Sequence, residues 1–411
     1  MNYLKDYNIL KKIYKEDEKE INIPGSDIVI YNNFFKSEAN DIYPDVNEYV
    51  NSCKENKNKI NIIAKEKNIQ SENINKIFDF IDPLVIENNS FIYPLYTRRQ
   101  KGKVNSVIIL LHGLNEKSWD KYHTWAKKLV ELTGKVVLMF PISFHINRTP
   151  AEWNDPRKMN SVSKERKKIF PDIIETSFVN AAISTRLQFA PQTFFWSGLR
   201  TYNDIHKLLK QISNNENEYI DKNATIDFFS YSIGAFLTEI LFLADAEGQF
   251  NDSRAFLFCG GPTMDKMHPV SRYIYDNKTE AVMISFYVNN FDESIERDKY
   301  LKRYFGKSVS AGQAFKSMLN KNILSEIREE KLKILNKNIC ALALDKDFVI
   351  PPLSVINTLK GKDKNIPINV MKMDFPFNYD HVSPFPLNEN IQEDVDICFD
   401  RVFGIAGEYL I

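Results

Sequence analysis

The residues best placed to do chemistry lie in the run Thr225-Ile226-Asp227-Phe228-Phe229-Ser230-Tyr231-Ser232-Ile233-Gly234-Ala235-Phe236, where a β-type segment breaks on a serine and restarts as a helix. A strand-to-helix turn of the form small-x-Ser-x-Gly holds its serine in a strained backbone and lifts the hydroxyl above the sheet. Gly234 meets the demand for a small residue, and Ser230 stands where a glycine is usual. The apolar run from Ala235 to Leu243 predicts a helix whose N-terminus points at the serine and favours negative charge there. That suits a nucleophile whose reaction generates an oxyanion, so Ser232 is the candidate. A serine hydroxyl also needs a neighbouring base near neutral pH, and histidine is the usual one.

Several elements must position this chemistry. Val107 to Leu111 is a continuous apolar run, as expected of a strand buried on both faces, and His112-Gly113-Leu114-Asn115 and a helix from Trp119 to Leu132 follow it. Lys135 to Phe140, Ala255 to Cys259, Asn338 to Leu344 and Ile368 to Met373 read as further strands. Alternating strands and helices predict an α/β protein with a mainly parallel central sheet flanked by helices. Two long segments, about 141–223 and 262–337, interrupt the alternation and are expected to be lids or substrate walls. Residues 1–100 are rich in Asn, Lys, Glu and Ile, with helical periodicity over Tyr43 to Lys67 and Glu72 to Ile81. They are expected to form a partly helical N-terminal extension leaning on a main domain over 101–411. Phe91 to Tyr96 reads as an edge strand, because Pro94 would disrupt a central one.

From about residue 104 onward the chain resembles the α/β-hydrolase superfamily, on four marks in order: His112-Gly113, Ser232, Asp347 in Leu344-Asp345-Lys346-Asp347-Phe348-Val349-Ile350-Pro351, and His381 in Tyr379-Asp380-His381-Val382. The whole chain also looks like an uncharacterised family of such proteins, which supplies no substrate. The resemblance implies a Ser, acid, His order. Only His268 and His381 follow Ser232, and His381, after the last strand, fits better than His268, which has no strand before it. Asp347 is the acid that the resemblance implies, with Asp345 in reserve. The backbone amides of Ile233 and Leu114 are the implied oxyanion donors, and Gly113 would let backbone approach the substrate. The implied activity is a serine hydrolase acting on an ester, thioester or amide through an acyl-enzyme on Ser232, with no metal or organic cofactor. Two rivals stand beside it: a catalytically inactive binding protein on the same fold, in which Ser232 only fills a tight turn, and an acyltransferase sharing the acyl-enzyme.

His145, Arg148 and Arg157 follow the strand that ends at Phe140. They either hold a carboxylate or phosphate of the substrate or anchor the excursion by salt bridges, since the same charge-assisted bonds serve both. His112 reads as a structural hydrogen-bonding residue. Asp347 has an alternative as a helix cap near Pro351.

Composition narrows the partners. In 411 residues, 54 Lys and Arg balance 54 Asp and Glu, so no general electrostatic footprint for nucleic acid exists. The expected partner is a small-molecule or peptide substrate. No apolar stretch reaches bilayer length and the N-terminus is not a signal peptide, which sets a cytoplasmic expectation with no integral membrane contact. Cys53, Cys259, Cys340 and Cys398 show no metal or redox spacing.

Overall fold

Val107, Ile109 and Leu111 face one side of a central strand and Ile108 and Leu110 the other, and all five are completely buried. Such a strand needs apolar layers on both faces, and the molecule supplies them. The structure is a computed structural model that describes residues 2–38, 42–100, 102–245, 247–306 and 310–411. Met1 and Lys101, which open the two expected domains, lie outside the described residues.

Among the described residues nine strands form one sheet: β1 (Glu20–Asn22), β2 (Ile28–Lys36), β3 (Ser90–Arg98), β4 (Val104–Leu111), β5 (Val136–Met139), β6 (Ile220–Tyr231), β7 (Ala255–Phe258), β8 (Ile339–Leu344) and β9 (Asn369–Met373). Their spatial order is β1-β2-β3-β5-β4-β6-β7-β8-β9. β4 to β9 pair in parallel, while β1, β2 and β3 are antiparallel to their neighbours. Helices Tyr3–Ile13, Asp120–Thr133 and Gln392–Leu410 cover one face around Trp125, Phe399 and Phe403. Helices Gln192–Ser213, Ile233–Ala244 and Pro352–Leu359 cover the other. With the serine turn at the C-terminal end of a central parallel strand, this is the α/β-hydrolase fold.

Three findings differ from the sequence reading. Residues 20–36, read as part of a helical extension, supply two strands of the sheet, and β2 pairs with β3 over its full nine residues. β3 is therefore an interior strand and not an edge. Pro94 is tolerated because β3 meets β5 only at Leu95 and Tyr96, so the proline lies beyond that ladder. Within the segment 141–223, helix Gln192–Ser213 buries Ile205 and Leu208 in the same core as Ile109 and Phe228, so its last third covers the sheet.

The rest of that segment and the segment 262–337 lean on each other above the sheet. Arg166 and Asp276, both fully buried, pair at 2.6 Å and join them. Asn115, in the left-handed region at φ 62°, donates from Nδ2 to the carbonyls of Val179 and Tyr273, one in each segment.

Candidate active site

β6 ends at Tyr231 and helix Ile233–Ala244 begins two residues later, leaving Ser232 alone to turn the chain, at φ 58° and ψ −118°. A non-glycine residue holds that conformation only when its surroundings over-determine it. The packing here does so. A Cβ on Gly234 would lie 2.8 Å from both Cβ and the carbonyl oxygen of Leu111, and one on Gly260 would lie 2.2 Å from the Ala235 Cβ. The helix thus leaves the strand with no room for a side chain at either point. Ser230 fits in place of glycine because its buried hydroxyl bonds the Thr238 hydroxyl at 2.6 Å, one turn into that helix.

Ser232 Oγ lies 2.7 Å from His381 Nε2, and His381 Nδ1 lies 2.7 Å from Asp347 Oδ2. The carboxylate fixes the ring with its proton on Nδ1, leaving the Nε2 lone pair to accept from the serine. The other carboxylate oxygen, Oδ1, accepts from the backbone amides of Val349 and Ile350 at 3.0 and 2.8 Å. Asp347 therefore closes the turn after β8 and orients His381 at once, but it does not cap the helix Pro352–Leu359, which begins after Pro351 with no side-chain bond. The imidazole stacks on the Tyr231 ring, with centroids 5.4 Å apart and planes 14° apart. Asp345 turns to Lys372 instead, 3.1 Å away. His268 is exposed, and it contributes its backbone amide to Val349 rather than its ring to the serine.

The amides of Leu114 and Ile233 have no protein hydrogen-bond partner among the described residues. The loop carrying Leu114 is held from below. The Ile142 amide donates to His112 Nε2 at 2.9 Å, so the ring proton is on Nδ1 and reaches the Gly113 carbonyl at 2.8 Å. Burial, with His145 close by, keeps this imidazole well below its ordinary value and neutral. Gly113 also fits closely against its neighbour: a Cβ there would lie 3.1 Å from the Tyr231 ring, which would have to give by a few tenths of an ångström.

Sequence reasoning missed the cluster that locks the site. Gly113 N–H donates to the Tyr122 hydroxyl at 2.9 Å, which donates to Glu116 at 2.8 Å. Lys121 pairs with Glu116 at 2.5 Å, donates to the Val382 carbonyl at 2.8 Å and lies 4.8 Å from the centre of the Tyr231 ring. It thereby ties the loop after β4 to the loop bearing His381. The signal available in the sequence was the charged stretch directly after His112-Gly113-Leu114.

The three residues offered as anion binders are not assembled into an anion site. Arg148 is completely buried and spends its donors on Asn88, the Pro141 carbonyl and Asp204 Oδ2, the last at 2.7 Å, so it anchors the excursion. Arg157 is an exposed residue of helix Pro156–Ile169 and lines neither cavity at Ser232. His145 donates from Nδ1 to the Ser143 carbonyl at 2.9 Å, and burial pushes its pKa down to about 3. A neutral ring offering only a lone pair cannot hold an anion.

Ser232, only 6% exposed, is reached through two cavities. One is apolar, lined by Leu114, Phe194, Ile233, Phe236, Met283 and Ile284, and shares its Phe194 and Phe236 wall with a second apolar space bounded by His145, Leu237 and Phe315. Its wall includes Glu280, whose carboxyl is pushed up by burial and accepts from the Tyr275 hydroxyl at 2.7 Å. The other cavity is a polar cleft lined by Gly113, Glu116, Lys117, Tyr231, Tyr273 and His381. Among the described residues, no group of three or more His, Cys, Asp or Glu is placed to hold a metal, and no helix is long and apolar enough to cross a membrane.

Comparison with solved structures finds distant likenesses. A cold-adapted esterase from an Arctic intertidal metagenomic library is 10% identical, with 97% of this chain and 100% of that one covered at a TM-score of 0.39. A carboxyl esterase from the mycorrhizal fungus Tuber melanosporum is 10% identical over 79% of this chain and 82% of that one, at 0.40. A thermostable esterase from Pseudomonas putida is 10% identical over 78% and 80%, at 0.42. At such scores these likenesses carry no argument about chemistry. No curated protein matches the chain. A family model does match, over residues 1–411, and the chain belongs to that family, described as a family of unknown function (DUF6051).

Proposed function

We propose that the protein is a serine hydrolase that cleaves an ester, thioester or amide through an acyl-enzyme on Ser232. One observation carries the reading: a strained serine between β6 and its helix, in a 2.7 Å bond to His381 Nε2, with Asp347 2.7 Å from the other ring nitrogen. A serine that merely filled a turn would need neither partner.

His381 takes the Ser232 proton as Oγ attacks the carbonyl carbon, and the imidazolium that forms is balanced by Asp347. The carbonyl oxygen becomes an oxyanion and accepts from the free amides of Leu114 and Ile233. Each such donor is worth about 3 kcal/mol of transition-state stabilisation. Collapse of the intermediate breaks the bond to the leaving atom, which takes the proton from His381 Nε2. Water, deprotonated by the same nitrogen, then releases the acid.

The two cavities divide the substrate. His381 must reach the leaving atom, and His381 lines the polar cleft but not the apolar cavity. The leaving group therefore occupies the cleft and the acyl group the apolar cavity. Turnover of p-nitrophenyl hexanoate tests the reading: wild type is expected to release p-nitrophenol, and Ser232→Ala and His381→Ala are expected not to. Equal turnover by all three folded proteins would overturn it.

A further inference from the structure

Charged groups around the polar cleft are paired, with one exception. Glu116 and Lys121 neutralise each other at 2.5 Å, and Asp347 holds His381. Lys117 lines the same cleft as Ser232 and His381, is half-buried, and has no hydrogen bond or ion pair among the described residues. It comes three residues after Leu114, on the loop whose Gly113 amide is held by Tyr122 and whose Glu116 carbonyl accepts from the Ile146 amide at 3.0 Å. A half-buried ammonium with no carboxylate beside it leaves its counter-charge to be supplied by whatever enters the cleft. Such a group beside a reactive centre marks a functional position.

We propose that Lys117 binds an anionic group, a carboxylate or a phosphate, on the leaving portion of the substrate. This rests on the hydrolase reading for the division of acyl and leaving groups. The chemistry is self-consistent: the acyl side offers apolar wall, so charge on the substrate belongs on the side where Lys117 stands. His145, which also lies near this ammonium, is neutral and supplies no counter-charge. Tyr231 is buried and stays protonated, as burial raises it well above its usual value, and Tyr273 at the mouth is half-exposed. Burial also pushes the Lys117 pKa down to about 8. The free protein therefore carries this charge below that pH and loses it as pH rises.

Three hexanoyl esters of one phenol framework test the proposal, bearing a para carboxylate, phosphate or neutral carboxamide. Their binding to Ser232→Ala, read by calorimetry, needs no turnover. At pH 7 the preferred anionic ester is expected to bind about tenfold or more tighter than the carboxamide, the worth of one charge-assisted bond. Adding Lys117→Met should erase the preference and Lys117→Arg should keep most of it. The preference should also fall between pH 7 and pH 9. Whichever of carboxylate and phosphate shows the larger Lys117-dependent preference is the anion served. Equal binding of all three esters, or a preference that survives Lys117→Met, would overturn the proposal. Wild-type turnover of the carboxamide ester reads the hydrolase separately, since that ester needs no contact with Lys117.

Discussion

The two sides of Ser232 make opposite demands. On one, Phe194, Phe236, Met283 and Ile284 form a wall with little to offer a polar group, and the Glu280 carboxyl there is pushed toward its neutral form by burial. On the other, Glu116, Lys117 and His381 line a cleft that also includes Tyr273, with Lys121 paired to Glu116 behind it. The contrast follows from where each wall comes from. The apolar wall is built by the long segments over the sheet, through Phe194, Met283 and Ile284, together with the start of the helix after β6, through Ile233 and Phe236. The polar groups of the cleft come from the loop after β4 and the loop after β9, which Lys121 ties together, while Val179, Tyr273 and Ile274 of the long segments close its far side. A single serine at the border can thus hold an acyl group by area and a leaving group by charge.

The largest effects come from removing the point where the two sides meet. Ser232→Ala is expected to lower kcat by on the order of 10⁶-fold, and Asp347→Asn by roughly 10⁴-fold, as the ring loses its orientation. Steady-state assays with a hexanoyl ester measure both, and far-ultraviolet circular dichroism should be unchanged. A change below tenfold in either would break the account.

Next is the brace behind the apolar side. Asp276 adjoins Ile274 and Tyr275, which line the cavity, and its partner Arg166 is completely buried. Arg166→Met leaves a buried carboxylate without its counter-charge and is expected to cost about 3 to 5 kcal/mol in denaturant unfolding. A loss under 1 kcal/mol would mean that the two segments do not depend on this pair.

Smaller and more discriminating is the acyl series. Each methylene buried in the apolar cavity contributes about 0.8 kcal/mol, so kcat/KM should rise about fourfold per carbon until the cavity is filled. A flat series from acetate to octanoate would contradict the assignment of sides.

The smallest effect tests the unusual serine in the turn. Ser230→Ala removes the bond to Thr238, whose hydroxyl keeps its bond to the Gly234 carbonyl at 3.0 Å. It should cost about 1 kcal/mol of stability and leave kcat/KM unchanged.

Much of this was legible in the sequence because the decisive residues sit at strand ends. The continuous apolar runs of β4 and β8, the β-type run of β6 and the alternation in β9 announce those strands, and Ser232, Asp347 and His381 follow three of them. Side-chain direction was not legible. Arg148 and His145 also follow a strand, but the partners that claim Arg148, Asn88 and Asp204, lie 60 and 56 residues away in the chain. β1 and β2 were missed for a related reason. β1 pairs with β2 and β2 with the distant β3, and the β-type run Ile28-Val29-Ile30-Tyr31 is short and set in a region whose overall Asn, Lys and Glu content reads as helix or loop. Lys117 was invisible for the opposite reason: its distinction is the partner it lacks, which no local pattern records.

The most direct test of the central claim is covalent labelling of purified protein with a fluorophosphonate, with the modified residue located by peptide mass spectrometry. The account predicts a single adduct on Ser232 that is absent from Ser232→Ala and strongly slowed in His381→Ala. An adduct on another residue, or none on folded wild type with a probe small enough for the cleft, would contradict it.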